Sequence, residues 1–303
     1  MTCLGVGTRV DSGTGPVVAL MCAARRLARV LNVRTTVTGP RLRAGRELAL
    51  LAALYVAYSG SRLLADPDPG TAVGNGRALL HLEAVLHLDV ERWLNDGLSA
   101  LPVLPLVASY WYSVLHYVVT PAVLVWIYRA HPGRYRVARN TLVAGSAIGI
   151  AGFALLPMAP PRMLPGYVDT LASTAGSGWW GSDASAPRGL GALTNELAAM
   201  PSLHVGWAVW CAAVVLLCTG RQWVRVLAVA YPVLTTLVVV ATANHYLLDA
   251  VAGVAVIAAG AAVAVRLPAR WSDPRLAVRA GGSAGPERQA ADGWDEQEDR
   301  AAA

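Results

Sequence analysis

The chain contains no lysine: all 25 of its basic residues are arginine. That excludes lysine-dependent chemistry, such as a Schiff base, from the outset. Charge of either sign is scarce, at 15% of 303 residues, against 55% hydrophobic residues and a mean hydropathy of +0.46. Soluble domains carry about 25% charged residues, so this composition points to a polytopic membrane protein. Cysteine is equally sparse. Cys3, Cys22, Cys211 and Cys218 form no CxxC pair and read as small buried hydrophobes. Basic stripes with interleaved aromatics are missing, so the net charge of +6 does not imply a nucleic-acid partner. There is no evident internal repeat and no convincing signal peptide. The apolar run at 16–24 is short and precedes its arginines, and Met21 is an alternative start to Met1.

What the chain does have is long apolar stretches. Six are long enough to span a bilayer, near 47–65, 104–128, 140–157, 203–219, 224–243 and 246–266. Arginine placement tests this division. With the N-terminus inside, segments 1–46, 129–139, 220–225 and 266–303 hold twenty arginines, and the outside segments hold five: Arg62, Arg77, Arg92, Arg162 and Arg188. Cytoplasmic loops are the arginine-rich ones, so both termini are expected inside, with the 158–202 loop on the outer face of a plasma membrane, in a bacterial-looking chain. Between the first two spans, residues 77–95 place apolar side chains at 79, 82, 86, 90, 93 and 94, with Glu83, Glu91 and Asp96 polar. That period predicts one amphipathic helix lying at the outer interface. The expected fold is therefore all-α, a polytopic membrane bundle of six transmembrane helices plus an interfacial amphipathic helix. Its predicted parts are a basic cytoplasmic segment 1–46, a membrane domain 47–267 and a disordered cytoplasmic tail 268–303.

Three short motifs carry the chemistry. In Pro201-Ser202-Leu203-His204, proline and serine open an apolar run, so Ser202 is the expected N-cap and His204 falls in the first turn. Free backbone N–H groups make such a helix start an anion site. In Asn244-His245-Tyr246-Leu247-Leu248-Asp249, a spacing of four puts His245 and Asp249 on one helical face. A carboxylate on one ring nitrogen makes the other a better base or nucleophile. Arg162, in Pro157-Met-Ala-Pro-Pro-Arg162-Met, has a guanidinium suited to bidentate phosphate binding. Each has a structural alternative when taken alone: an interfacial histidine, a His–Asp pair tying helices together, an arginine on lipid headgroups. Together, at the outer ends of three spans, they supply an anion clamp, an acid and an activated nucleophile. That is a phosphoryl-transfer set with no metal and no cofactor required. His116, in the aromatic stretch Tyr110–His116, lies mid-span and is a candidate to line the site, as are Asn244 and Arg188.

These residues resemble the type 2 phosphatidic acid phosphatase superfamily, whose signatures are KxxxxxxRP, PSGH and SRxxxxxHxxxD. The closest likeness is to the branch with fungal inositol phosphorylceramide synthase, where the second signature reads PSLH and the third tends to NHYxxD. The resemblance covers about residues 77–257. It implies that His245 is the nucleophile, forming a phosphohistidine, and that Asp249 orients it. It further implies that His204 protonates the leaving alcohol, while Arg162, Ser202 and nearby amides hold the phosphate. The chain departs from the signatures at Leu155 and Met163 in the first and at Val238 and Val239 in the third. Two cationic phosphate ligands are thereby lost, with Arg188 or Asn244 as candidates to compensate.

The expected function is a membrane lipid phosphatase or phosphotransferase acting on a lipid phosphate or phosphodiester at the outer face. Transfer of an inositol-phosphate-type headgroup to a lipid acceptor is the near alternative. A proton-coupled transporter or lipid-binding protein, using the His–Asp pair as a relay, is the alternative from another class; it would favour repeated halves, which the chain lacks.

Overall fold

The computed structural model describes residues 45, 47, 49, 50, 52, 53, 56, 68–180 and 196–266. Most of the expected first span, the segment 1–46 apart from Gly45, the tail from 268 and Arg188 therefore lie outside the described residues.

Among the described residues from 68 onward, two helices precede the long ones. Helix α1 (Pro69–Val85) starts at Asp68, whose carboxylate accepts from the Thr71 N–H at 2.8 Å and from its hydroxyl at 2.9 Å, with proline at the first helical position. Helix α2 (Glu91–Ser99) follows after a break. This corrects the expectation of one amphipathic helix over 77–95. His87 adopts a left-handed conformation, φ 56°. The N–H of Leu88 bonds to the Glu83 carbonyl and that of His87 to the Ala84 carbonyl, the paired bonds of a Schellman helix ending. Glycine usually holds that position, so histidine there conceals the stop. The faces also differ from expectation. Glu83 and Glu91 are fully buried, whereas Leu82, Leu86 and Trp93 are exposed, Trp93 by 75%.

Helix α3 (Leu104–Tyr110) runs through a π turn at Trp111–Leu115 into α4 (His116–Ala130), and α5 is Pro132–Leu155. After a short helix α6 (Thr170–Thr174) come α7 (Leu203–Cys218), α8 (Gln222–Ala241) and α9 (Leu247–Arg266). Among the described residues there are no strands, and four helical stretches are long and apolar enough to cross a membrane: 104–130, 132–155, 222–241 and 247–266. The stretch expected to span at 203–219 is a shorter apolar helix of 16 residues, α7.

Helix α7 is the centre of the bundle. It is apolar on every side, and an all-round apolar helix is one enclosed by its neighbours. Trp210 is fully buried and its indole N–H donates to the Ala138 carbonyl of α5 at 2.8 Å. Trp207 donates to the Ser146 hydroxyl at 3.0 Å. Its last carbonyls are met by guanidinium groups, Leu217 by Arg134 and Leu216 by Arg225. Helix α9 approaches α7 and α5 through glycine. A Cβ on Gly253 would lie 2.1 Å from the Ser202 carbonyl oxygen, and one on Gly260 2.5 Å from the Gly145 nitrogen. Small residues at such crossings let backbones meet where lipid offers no hydrophobic drive between helices.

Candidate active site

Two connecting segments bring the motifs together. Met158 donates to the Leu197 carbonyl at 2.7 Å and Ala199 donates back to Met158 at 3.2 Å, a short parallel ladder joining the Arg162 segment to the Pro201–His204 segment. Helix α1 clamps the first of these. Ala159 N–H donates to the Ala72 carbonyl, and Asn75 Nδ2 to the Pro157 carbonyl at 2.8 Å. The Tyr246 hydroxyl donates to the Ala159 carbonyl at 2.9 Å, tying in the start of α9.

Ser202 is the N-cap of α7, its hydroxyl accepting from the Val205 N–H at a long 3.5 Å. Its own N–H donates to the Asp249 carbonyl at 2.9 Å. His204 thus starts on a helix whose first turn is fastened to α9. Leu203 and His204 N–H groups, at the first two helical positions, have no acceptor within the helix.

His245 sits in the turn between α8 and α9. Ala243 there is left-handed, φ 56°, and fully buried. A non-glycine residue in that conformation costs about 1–2 kcal/mol, strain of the kind that collects at functional turns. The Val239 carbonyl accepts from both Asn244 and His245 N–H groups. His245 Nδ1 lies 2.8 Å from the Ala199 carbonyl and 3.4 Å from Asp249 Oδ2. A carbonyl only accepts, so Nδ1 carries the hydrogen and, in the neutral ring, Nε2 carries the lone pair. Nε2 is buried and has no partner among the described residues. Asp249 Oδ2 also accepts from the Tyr246 N–H at 2.9 Å.

The π turn supplies the opposite wall. Tyr112 stacks on His204 with ring centres 4.4 Å apart and planes at 25°. His116 meets the same ring edge-on at 4.3 Å, and His204 lies 5.6 Å from His245. π turns of this kind recur at functional sites because they re-aim side chains within a helix. Three of the chain's six histidines therefore form one row, His116, His204, His245.

Arg162 is joined to the same turn from its other side. Its N–H donates to the Ala243 carbonyl at 2.8 Å and its Nε to Asn244 Oδ1 at 3.0 Å, with Asp169 Oδ2 3.8 Å away. Asn244 in turn donates to Thr242. The structure thus brings together His116, Ser202, His204, His245 and Asp249, and it fastens Arg162 to the two residues before His245 through Asn244. Among the described residues no three His, Cys, Asp or Glu side chains group as a metal site would require.

Sequence reasoning missed four contributors. The Ala199 carbonyl is backbone and carries no residue signal. Tyr112 is a single aromatic in an aromatic-rich stretch. Glu83 and Glu91 read as a solvated face, yet Glu91 Oε1 accepts from the Leu247 N–H at 2.8 Å and Glu83 Oε1 from the Leu248 N–H at 2.7 Å. With Asp249 on Tyr246, three successive N–H groups at the start of α9 each meet a different carboxylate. A buried carboxyl in a span of seventeen mostly apolar residues was the available signal.

Helices able to cross a membrane, closed around a histidine–histidine–carboxylate row that is buried at His245 and Asp249 and half-buried at His204, define an integral membrane protein with a built polar site. The chain belongs to the PAP2 superfamily, whose family model matches residues 77–263. Membership points to a membrane phosphatase or phosphotransferase. Searches of curated proteins and of solved structures returned no match.

Proposed function

We propose that the protein breaks a phosphoester bond of a membrane lipid through a phosphohistidine on His245. The observation that supports this best is the His245 ring: Nδ1 is held by the Ala199 carbonyl and Asp249, while Nε2 is buried without a partner beside His204. A nucleophile with one nitrogen fixed by hydrogen bonding and the other bare is oriented for in-line attack on phosphorus. Nε2 forms the bond to phosphorus as the phosphorus–oxygen bond to the leaving alcohol breaks, and protonated His204 gives that oxygen its proton. The phosphorylated ring, still bearing its Nδ1 hydrogen, is cationic and is stabilised by Asp249. Arg162 and the free N–H groups at the start of α7 neutralise the phosphoryl oxygens. Water, deprotonated by His204, then releases phosphate, or an alcohol takes the group in transfer.

The site faces outward in this reading, because the arginine-rich segments flank its opposite end. A second reading, headgroup transfer as in the synthase-like branch, is favoured by the positions that replace the family's cations. Val239 is fully buried in the core and Leu155 is 84% exposed at the end of α5. A site with fewer fixed cations suits a phosphodiester, with one negative charge, better than a phosphomonoester with two.

The test is turnover of a panel of lipid phosphates and phosphodiesters by purified protein, with labelled-product analysis in the presence of water alone and of added alcohols such as inositol. His245→Ala and His204→Ala should each lose activity by at least about 1,000-fold, and wild-type protein quenched during turnover should carry acid-labile phosphohistidine. Full activity in His245→Ala removes the nucleophile assignment. A trapped phosphohistidine removes the transporter alternative as a sufficient account.

A further inference from the structure

The two carboxyl groups of Glu83 and Glu91 stand side by side at the start of α9. Their Oε1 atoms accept from consecutive N–H groups, Leu248 and Leu247, which sets the two carboxyls next to each other. Both side chains are fully buried, and neither Oε2 has another partner among the described residues. Two ionised carboxylates are acceptors only, and buried next to one another they repel, which favours a proton held on the pair. One proton leaves one negative charge on the pair, which the partial positive charge of the helix start accommodates.

We infer that Glu83 and Glu91 share one proton and act as positioning residues for the His245–Asp249 turn. Leu247 and Leu248 are two of the three residues between His245 and Asp249, so the pair grips the backbone that sets the distance between nucleophile and carboxylate. Neither glutamate touches the reacting atoms in this account, which rests on the catalytic role proposed for His245. Other groups facing the pair are Asp249 on α9, Tyr246 before it, Tyr167 in the segment below α2, and Asp89 and Arg92 beside Tyr167. Burial, and then the charge of Glu91, raise the Glu83 carboxyl to about 9, and burial raises the Tyr167 phenol to about 12. A raised carboxyl binds its proton more tightly in the folded protein, so its stabilising effect is whole at low pH and is lost as pH rises through about 9. Above that, two adjacent negative charges repel and the turn loses its grip.

The experiment compares wild type with E83Q, E91Q and E83A, reading kcat, KM and the thermal midpoint of substrate-free protein from pH 6 to 10. Glutamine reproduces the protonated carboxyl, accepting with its oxygen and donating with its amide. E83Q should hold kcat within about threefold of wild type at neutral pH, and E83A should lose about 100-fold with KM little changed, the scale of a 1 Å misplacement. Wild type should lose midpoint as pH rises from 6 to about 9 and lose kcat as it passes about 9, and E83Q should show neither loss. The inference is overturned if E83Q fails like E83A, if E83A keeps full kcat, or if E83Q keeps the wild-type alkaline fall in midpoint. If E83A does not assemble, E83Q and E91Q against wild type still decide it. Should wild type turn over no lipid, the phosphoryl-transfer reading fails separately, and the substrate-free midpoints still test the shared proton.

Discussion

Replacing Gly253 with alanine drives a methyl group into the backbone that caps α7. The new Cβ would stand 2.1 Å from the Ser202 carbonyl oxygen, 3.1 Å from its carbon and 3.3 Å from the Gly206 nitrogen. Carbon and oxygen meet at about 3.3 Å, so the helices must part by about 1 Å at this point. Overpacking of that kind costs about 1–3 kcal/mol. Parting the helices also stretches the bond from Ser202 N–H to the Asp249 carbonyl, now 2.9 Å, which contributes about 1 kcal/mol. The histidines ride on the two sides of that bond, His204 on α7 and His245 just ahead of α9. With His245 and His204 in the roles proposed above, a 1 Å displacement between them costs about 100-fold in rate. Gly260→Ala is the control. Its Cβ would meet Gly145 N at 2.5 Å and the Thr141 carbonyl at 2.7 Å, a comparable overlap on the same helix two turns further from the histidines. Both variants should lower the thermal midpoint of detergent-purified protein, and only Gly253→Ala should lower kcat by about 100-fold relative to its folded fraction. Equal loss of kcat in both, or none in Gly253→Ala, would refute the idea that this crossing sets the histidine spacing.

Two further outcomes are expected. His87→Gly should raise stability by roughly 1 kcal/mol, since it removes a left-handed non-glycine residue from an exposed helix ending; a lowered midpoint would show that histidine is there for another reason. In a cysteine-free background, Ser177→Cys should react with a membrane-impermeant maleimide on intact cells while Gly133→Cys stays protected until the membrane is opened. The reverse pattern would place the histidine row on the cytoplasmic face.

The helix-start signal at Ser202 could be read directly, because capping is a local property of the chain. The four-residue step from His245 to Asp249 does bring the two side chains within 3.4 Å, but His245 lies in the turn ahead of α9 and not, as expected, on its helical face. Four of the six expected spans could be read, because lipid imposes length and composition. What escaped depended on partners remote in sequence. Glu83 lies 165 positions from the N–H group it caps, and no local pattern distinguishes that use from solvation. The amphipathic reading also fails by face: Leu82, Leu86 and Trp93 turn outward while Leu79 is buried, and Glu83 and Glu91 turn inward while Asp96 stays exposed. The Asp249 side chain, expected to orient His245 by itself, shares that work with a backbone carbonyl at shorter distance. The placement of Tyr112 and His116 depends on a π turn, which breaks the regular helical period by which faces are read.

The shortness of α7 has a consequence for where the lipid is met. Its 16 residues rise only about 24 Å, against a hydrocarbon core of about 30 Å. With its guanidinium-capped end at one boundary, its histidine end stops about 6 Å short of the other, below the headgroups. A phosphate linked to two acyl chains would need little lift from the leaflet to reach His204, and the surrounding longer helices would screen it from bulk water. On the function proposed above, bilayer thickness becomes a variable of catalysis: in membranes of longer-chain lipids the mismatch grows, and a lipid phosphate would have to descend further to meet the imidazoles.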